Sequence, residues 1–248
     1  LINIKKFLFL ISISALFSGA IPDDYFQQYV EYDIDATLND KDHTLSSHLT
    51  LKYTNNSNDT LDFIWFHLWP NAYKNNETAF AKQQLRLGST KFFYSEEKNR
   101  GYIDNLMFEV NNEKVKLEIH NEWIDVAKVT LNNPLIPGET IIITTPFFVK
   151  IPNVFSRLGH TGKHYEMTQW YPKPAVYDKD GWHEMPYLNM GEFYSEFGTF
   201  DVKITLPEEY VVMAAGDLIN GEKEYRWLDS LSIEGKKFLD MPDKGIKK

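Results

Sequence analysis

The dipeptide His183-Glu184, within HTGKHYEMTQWYPKPAVYDKDGWHEMPY (residues 160–187), is the first place where residue types suggest chemistry. In a helical H-E-x-x-H the two histidines share one face and hold a zinc ion, while the glutamate activates the metal's water. Here Tyr187 stands where the second histidine belongs and Pro186 breaks a helix, so the pair does not complete that site. His160 and His164 keep a four-residue spacing, but Gly162 lies between them and the flanks read as strands, which predicts loop histidines rather than ligands. His43, His48, His67 and His120 are scattered through strand-like stretches and read as cross-strand or edge residues. The chain is expected to hold no metal and no cofactor of its own.

Asp178, Asp180 and Glu184 could in principle share acid and base roles, yet Asp180-Gly181 reads first as a turn. No G-x-S-x-G elbow, phosphate-binding loop or dinucleotide fingerprint occurs. With 26 Lys+Arg against 35 Asp+Glu, a net charge of −9, nucleic acid is not expected as a partner. Residues 1–20, LINIKKFLFLISISALFSGA, place Lys5 and Lys6 before an apolar run that ends in small residues, the pattern of a secretory signal peptide. The chain is therefore expected to be secreted or periplasmic, and free of the membrane after cleavage. Cysteine is absent, so stability must come from core burial rather than disulfides.

The elements that must position any site read mostly as strands. Val30, Tyr32, Ile34, Ala36 and Leu38 alternate, as do Leu45, Leu49, Leu51 and Tyr53, and NDKD between them predicts a hairpin. Leu61 to Trp69 is an apolar run suited to a buried strand, stopped by Pro70. Residues 76–88 predict a short surface helix ending at Gly88. Further strands are predicted over 102–110, 114–120, 124–131, 139–150, 197–207 and 210–216. Between them, residues 154–193 lose periodicity and become a long aromatic loop, in which Trp170, Tyr171, Tyr177 and Trp182 are expected to pack on the sheet. The fold class is thus mostly β, a large antiparallel sheet or sandwich with one or two short helices. Asn55-Asn56-Ser57, Asn58-Asp59-Thr60 and Asn76-Glu77-Thr78 are glycosylation sequons, relevant only in a eukaryotic secretory route.

The stretch from Tyr165 to Leu218 resembles the end of the N-terminal β domain of the aminopeptidase N family of zinc metallopeptidases, most closely its secreted Bacteroidetes branch. Thr168-Gln169, the strand ending in Leu206-Pro207, and the stretch Val211 to Gly216 match the family in order and spacing, and residues 32–73 look like its opening strands. After the signal peptide at 1–20, the resemblance implies a saddle-like aminopeptidase N-terminal β domain at 21–218, and at 219–248 the start of a following region. It implies that zinc sits in a downstream catalytic domain of the same polypeptide, through H-E-x-x-H and G-x-M-E-N motifs that this chain lacks. The chain is then inactive alone. The resemblance further implies that Gln169 lines the pocket for the N-terminal residue of a peptide substrate. Tyr171 stands beside it where the family often has an acidic residue, which weakens the expected hold on the substrate's free amine. The rival expectation is a secreted β-sandwich module that binds glycan or peptide through surface aromatics.

Overall fold

The computed structural model describes residues 25–219 and 221–239. The predicted signal peptide lies outside them. Along the chain, β1 (Tyr29–Asn39), β2 (Thr44–Thr54) and β3 (Leu61–His67) lead through a short 3-10 turn at Trp69–Tyr73 to α1 (Ala79–Arg86). Then come β4 (Tyr102–Asp104), β5 (Glu109–Val110), β6 (Glu113–Lys114), β7 (Lys116–Ile119), β8 (Val126–Leu135) and β9 (Thr140–Lys150). The former loop region contributes five short strands: β10 (Leu158–Thr161), β11 (His164–Met167), β12 (Lys173–Pro174), β13 (Tyr177–Asp178) and β14 (Gly181–Trp182). They are followed by β15 (Gly198–Thr205) and α2 (Glu222–Leu239). The described chain divides into two compact units, one ending at Leu206 and the other beginning at Pro207.

The first unit is a β-sandwich. One sheet runs β15-β1-β2-β9-β5-β6 with β4 also on β9, and the second runs β12-β3-β8-β7. Val30, Ile34, Leu49 and Leu51 from the first sheet and Ile64, Phe66 and Val129 from the second are fully buried in one shared core. The alternation of β1 and β2 explains this: residues two apart point to the same face, and their register pairs Ile34 with Leu49 and Tyr32 with Leu51. The NDKD turn is closed by Asn39, whose Oδ1 accepts from the backbone N–H groups of Lys41 and Asp42. Asn55 ties β2 to the end of β8. Its Nδ2 donates to the carbonyls of Asp59 and Leu135, and its Oδ1 accepts from the Ser57 amide and hydroxyl. This sequon asparagine is fully buried, so the folded chain offers no room there for a glycan.

Four local expectations are corrected, the first being that residues 102–110 form two short strands, Tyr102–Asp104 and Glu109–Val110, rather than one. Helix α1 begins after Thr78, whose hydroxyl accepts from the Ala81 amide as a cap, and Gly88 beyond its end has φ 83°, as predicted. It does not merely lie on the surface: Phe80 and Ala81 sit in a second core with Trp69, Tyr73, Phe92, Leu158 and Tyr187. Residues 114–120 do not form one strand, because the chain breaks at Val115 and passes from one sheet to the other. Residues 210–216 form no strand at all. They belong to the second unit, where among the described residues no strand offers them a ladder, and an unpaired segment has no backbone hydrogen bonds to gain from extension. That unit's α2 follows the helix dipole, with Glu222 and Glu224 in its first turn and Lys236 and Lys237 in its last.

Candidate functional site

Gln169 comes two residues after β11, at φ 56°, in the left-handed region that costs a residue with a Cβ about 1 kcal/mol. The turn before it is held by Thr168, whose hydroxyl donates to the Arg157 carbonyl at 2.7 Å. After it, Trp170 packs near Phe147 and Tyr171 meets Tyr32 edge-on at 5.6 Å, so both aromatics join the sandwich core as the sequence predicts. Burial pushes the Tyr171 hydroxyl up to about 12. Tyr171 is thus a neutral packing group at the seam of β1 and β15, and Tyr177 and Trp182 pack against the same core.

What holds Gln169 is Lys173, a residue the sequence alone did not single out. Lys173 is only 5% exposed. Its Nζ donates to Gln169 Oε1 and, at 2.8 Å, to Ser195 Oγ, and it stands 4.3 Å from the centre of the Trp69 ring. Among the described residues no carboxylate pairs with Lys173 in a salt bridge, and burial pushes the amine down to about 7. The strand register places His67 directly beside it. Burial, and then the charge of Lys173, push His67 down to about 3, so the imidazole is neutral. Its Nε2 accepts from the Met185 amide, while Nδ1 is buried without a hydrogen bond. The available signal in the sequence was the setting of Lys173 between Pro172 and Pro174, ahead of Ala175 and Val176: an inward-facing strand end that happens to carry a lysine.

This arrangement limits what Gln169 can offer a ligand. An amide oxygen already accepting from an ammonium is a weaker acceptor for a second cation, so the NH2 group is the stronger remaining contact. Lys173 and Ser195 also have the distance at which a neutral amine can take a hydroxyl proton.

The other sequence candidates fall elsewhere. His183 Nε2 lies 2.8 Å from Asp178 Oδ1, and Tyr194 donates to Asp178 Oδ2 at 3.0 Å. Burial alone would raise the Asp178 carboxyl, but the hydrogen bonds from His183, the Asp180 amide and Tyr194 outweigh it and hold it below its usual value. These contacts stitch the β13–β14 hairpin, whose turn falls one residue before the predicted Asp180-Gly181, at Lys179-Asp180, with Gly181 opening β14 at φ 99°. Tyr187 is 1% exposed and central to the second core, which accounts for an aromatic residue at that position. His160 and His164 sit on the β10–β11 hairpin rather than a helix. His160 stacks on His43 at 3.5 Å, and Tyr165 reaches His43 Nδ1 at 2.7 Å. Among the described residues no three His, Cys, Asp or Glu side chains form a group that could hold a metal.

Comparison with solved structures places the chain beside larger enzymes. Its structural neighbours are M1 zinc metallopeptidases. One from Deinococcus radiodurans is 17% identical with a TM-score of 0.42, the match covering 80% of this chain and 38% of that one. A mutant form bound to a Tyr-Ser-Ala substrate is 15% identical, also with a TM-score of 0.42, and the match covers 80% of this chain and 36% of that one. The chain therefore spans little more than a third of the length of these neighbours. A superposition this loose, at identities this low, assigns neither activity nor substrate. No family model matches the chain, and no curated protein does.

Proposed function

We propose that this chain is the non-catalytic N-terminal β domain of a secreted zinc aminopeptidase of the Bacteroidetes type, and that it lends Gln169 to the substrate cleft of a downstream catalytic domain. The observation that carries the reading is the Thr168-Gln169 turn, where the residue that the resemblance assigns to the cleft is held at φ 56° with its amide fixed by Lys173. A side chain held at both backbone and tip is preorganised, so little ordering entropy opposes its contact with a ligand. The zinc, on this reading, belongs to the catalytic domain, and the substrate is a peptide entered by its N-terminus.

The test is Gln169→Ala in the polypeptide that carries both domains. Loss of a hydrogen bond to a charged or strongly polarised group is worth about 1.5–3 kcal/mol, so kcat/KM for a peptide substrate should fall roughly tenfold to a hundredfold. His183→Ala should leave it nearly intact, because His183 is occupied with Asp178. Unchanged kinetics in a folded Gln169→Ala enzyme would remove Gln169 from the cleft.

A second reading, a glycan- or peptide-binding module, draws on a row of half-buried aromatic side chains. Trp182 lies 6.0 Å from Phe63, Phe63 is 6.0 Å from Trp65, Trp65 is 5.4 Å from His120, and His120 stacks on Trp123 at 4.5 Å. Flat rings in a row suit the apolar faces of sugars. On this reading Trp65→Ala would abolish ligand retention and Gln169→Ala would not.

A further inference from the structure

Among the described residues, strand β15 ends the larger sheet and pairs only with β1, in parallel. The register sets Phe200, Val202 and Ile204 beside Tyr32, Ile34 and Ala36, so these three apolar side chains continue the core face outward, and Phe200 stacks on Tyr32 at 4.4 Å. Yet Tyr32, Ile34 and Ala36 are buried, whereas Phe200, Val202 and Ile204 are 50%, 40% and 42% exposed. A strand of eight residues with an apolar face and an open hydrogen-bonding edge is a template for another strand.

The sequence of that strand, GTFDVKIT, is self-complementary about Val202. If a second copy of the strand runs antiparallel about a two-fold axis at Val202, Phe200 faces Ile204, Asp201 faces Lys203, and Thr199 faces Thr205. Each of these is a favourable cross-strand pair. A lysine on an edge ordinarily blocks pairing by repelling its own copy, but here the axis sets Asp201 opposite it. Lys203 already holds Asp35 at 2.8 Å, so its ammonium is oriented at this surface.

We infer that the free edge of β15 pairs with β15 of a second copy of this chain, forming a symmetric dimer whose larger sheet runs continuously across the axis. The arrangement is isologous, as a two-fold requires, and it closes both edges at once. It stands on the strand's own pattern, independently of the aminopeptidase reading.

The absence of cysteine makes a direct test possible, because any introduced cysteine is unique. Val202→Cys places two thiols across the axis, within the range of about 4.4–6.8 Å between Cα atoms that a disulfide spans. Under mild oxidation this variant should convert almost fully to a covalent dimer. Thr199→Cys is the control: its two copies lie six residues apart along the paired strands, roughly 20 Å, and should not cross-link. Charge gives a second readout by sedimentation. Asp201→Lys and Lys203→Asp each set like charges across the axis and should weaken self-association about tenfold, while an equal mixture of the two restores opposite charges and should restore the dimer. A monomeric native chain at high concentration, Val202→Cys cross-linking no faster than Thr199→Cys, or a mixture that associates no better than its components would each overturn the inference.

Discussion

Replacing Trp69 by Ala is expected to cost about 3–5 kcal/mol of stability, the range for deleting a buried large aromatic side chain. Trp69 is 2% exposed, and its indole N–H donates to the Met185 carbonyl at 3.1 Å. Its ring stacks on His67 at 4.3 Å, meets Phe193 at 4.7 Å, and lies beneath the Lys173 amine. Truncation would open a cavity between the end of β3 and the segment 154–197, and would strand the Met185 carbonyl without its donor. Because whole domains are stable by only about 5–15 kcal/mol, a loss of this size should be visible as a large fall in urea midpoint with little change in slope. Proteolytic cleavage within 154–197 should also accelerate. A loss below about 1 kcal/mol would show that this segment is held in place mainly by its other anchors.

Those anchors explain how much of the molecule the sequence made legible. The β1–β2 hairpin follows from alternation and a turn that asparagine can close, and α1 follows from a threonine cap and a glycine stop, all local signals. The segment 154–193 is ordered by distant contacts instead. Gln83 on α1 takes both the amide and the carbonyl of Met190, and Asp125 Oδ2 accepts from the Tyr187 amide at 2.7 Å. No periodicity encodes partners sixty to a hundred residues away. The parallel docking of β15 on β1 was hidden for the same reason: period 2 reveals a buried face, but not which edge receives the strand or in which direction.

At the site, Gln169 was marked by resemblance, and its neighbour Tyr171 by the residue it replaces. What the sequence could not reveal was the left-handed turn at Gln169, since glutamine carries no preference for it, nor the burial of Lys173. A lysine in a loop-like stretch is normally solvated. This one is enclosed because β12 brings it beside His67 and beneath the 3-10 turn that carries Trp69, and that placement depends on the tertiary fold.

Burial of that lysine makes stability depend on alkaline pH. Its amine, ordinarily near 10.5, sits at about 7 in the folded chain because burial disfavours the charge. Above pH 7 the folded chain has lost this proton while the unfolded chain still carries it, so unfolding takes up a proton and rising pH favours the fold. Below pH 7 both states are protonated and the dependence vanishes. The other buried groups act in lower windows. Burial holds His67 near 3, so its contribution grows as pH rises from about 3 to its ordinary 6.5 and is then complete. Burial raises Asp125 to about 6 and Glu196 to about 7, so their folded forms keep protons that the unfolded chain has lost, and stability from them falls over roughly pH 4–7. From pH 7 to 9 the slope should therefore belong mainly to Lys173. At most one pKa unit corresponds to about 1.4 kcal/mol, so a gain of about 2 kcal/mol is expected across that interval. Urea unfolding at pH 7, 8 and 9 measures it directly. Lys173→Met fills a similar volume without a proton to lose, and its stability should be nearly flat across the same interval. A native chain whose stability does not rise above pH 7, or a Lys173→Met chain that rises as steeply, would mean that the amine remains charged in the fold, stabilised by Gln169, Ser195 and the face of Trp69.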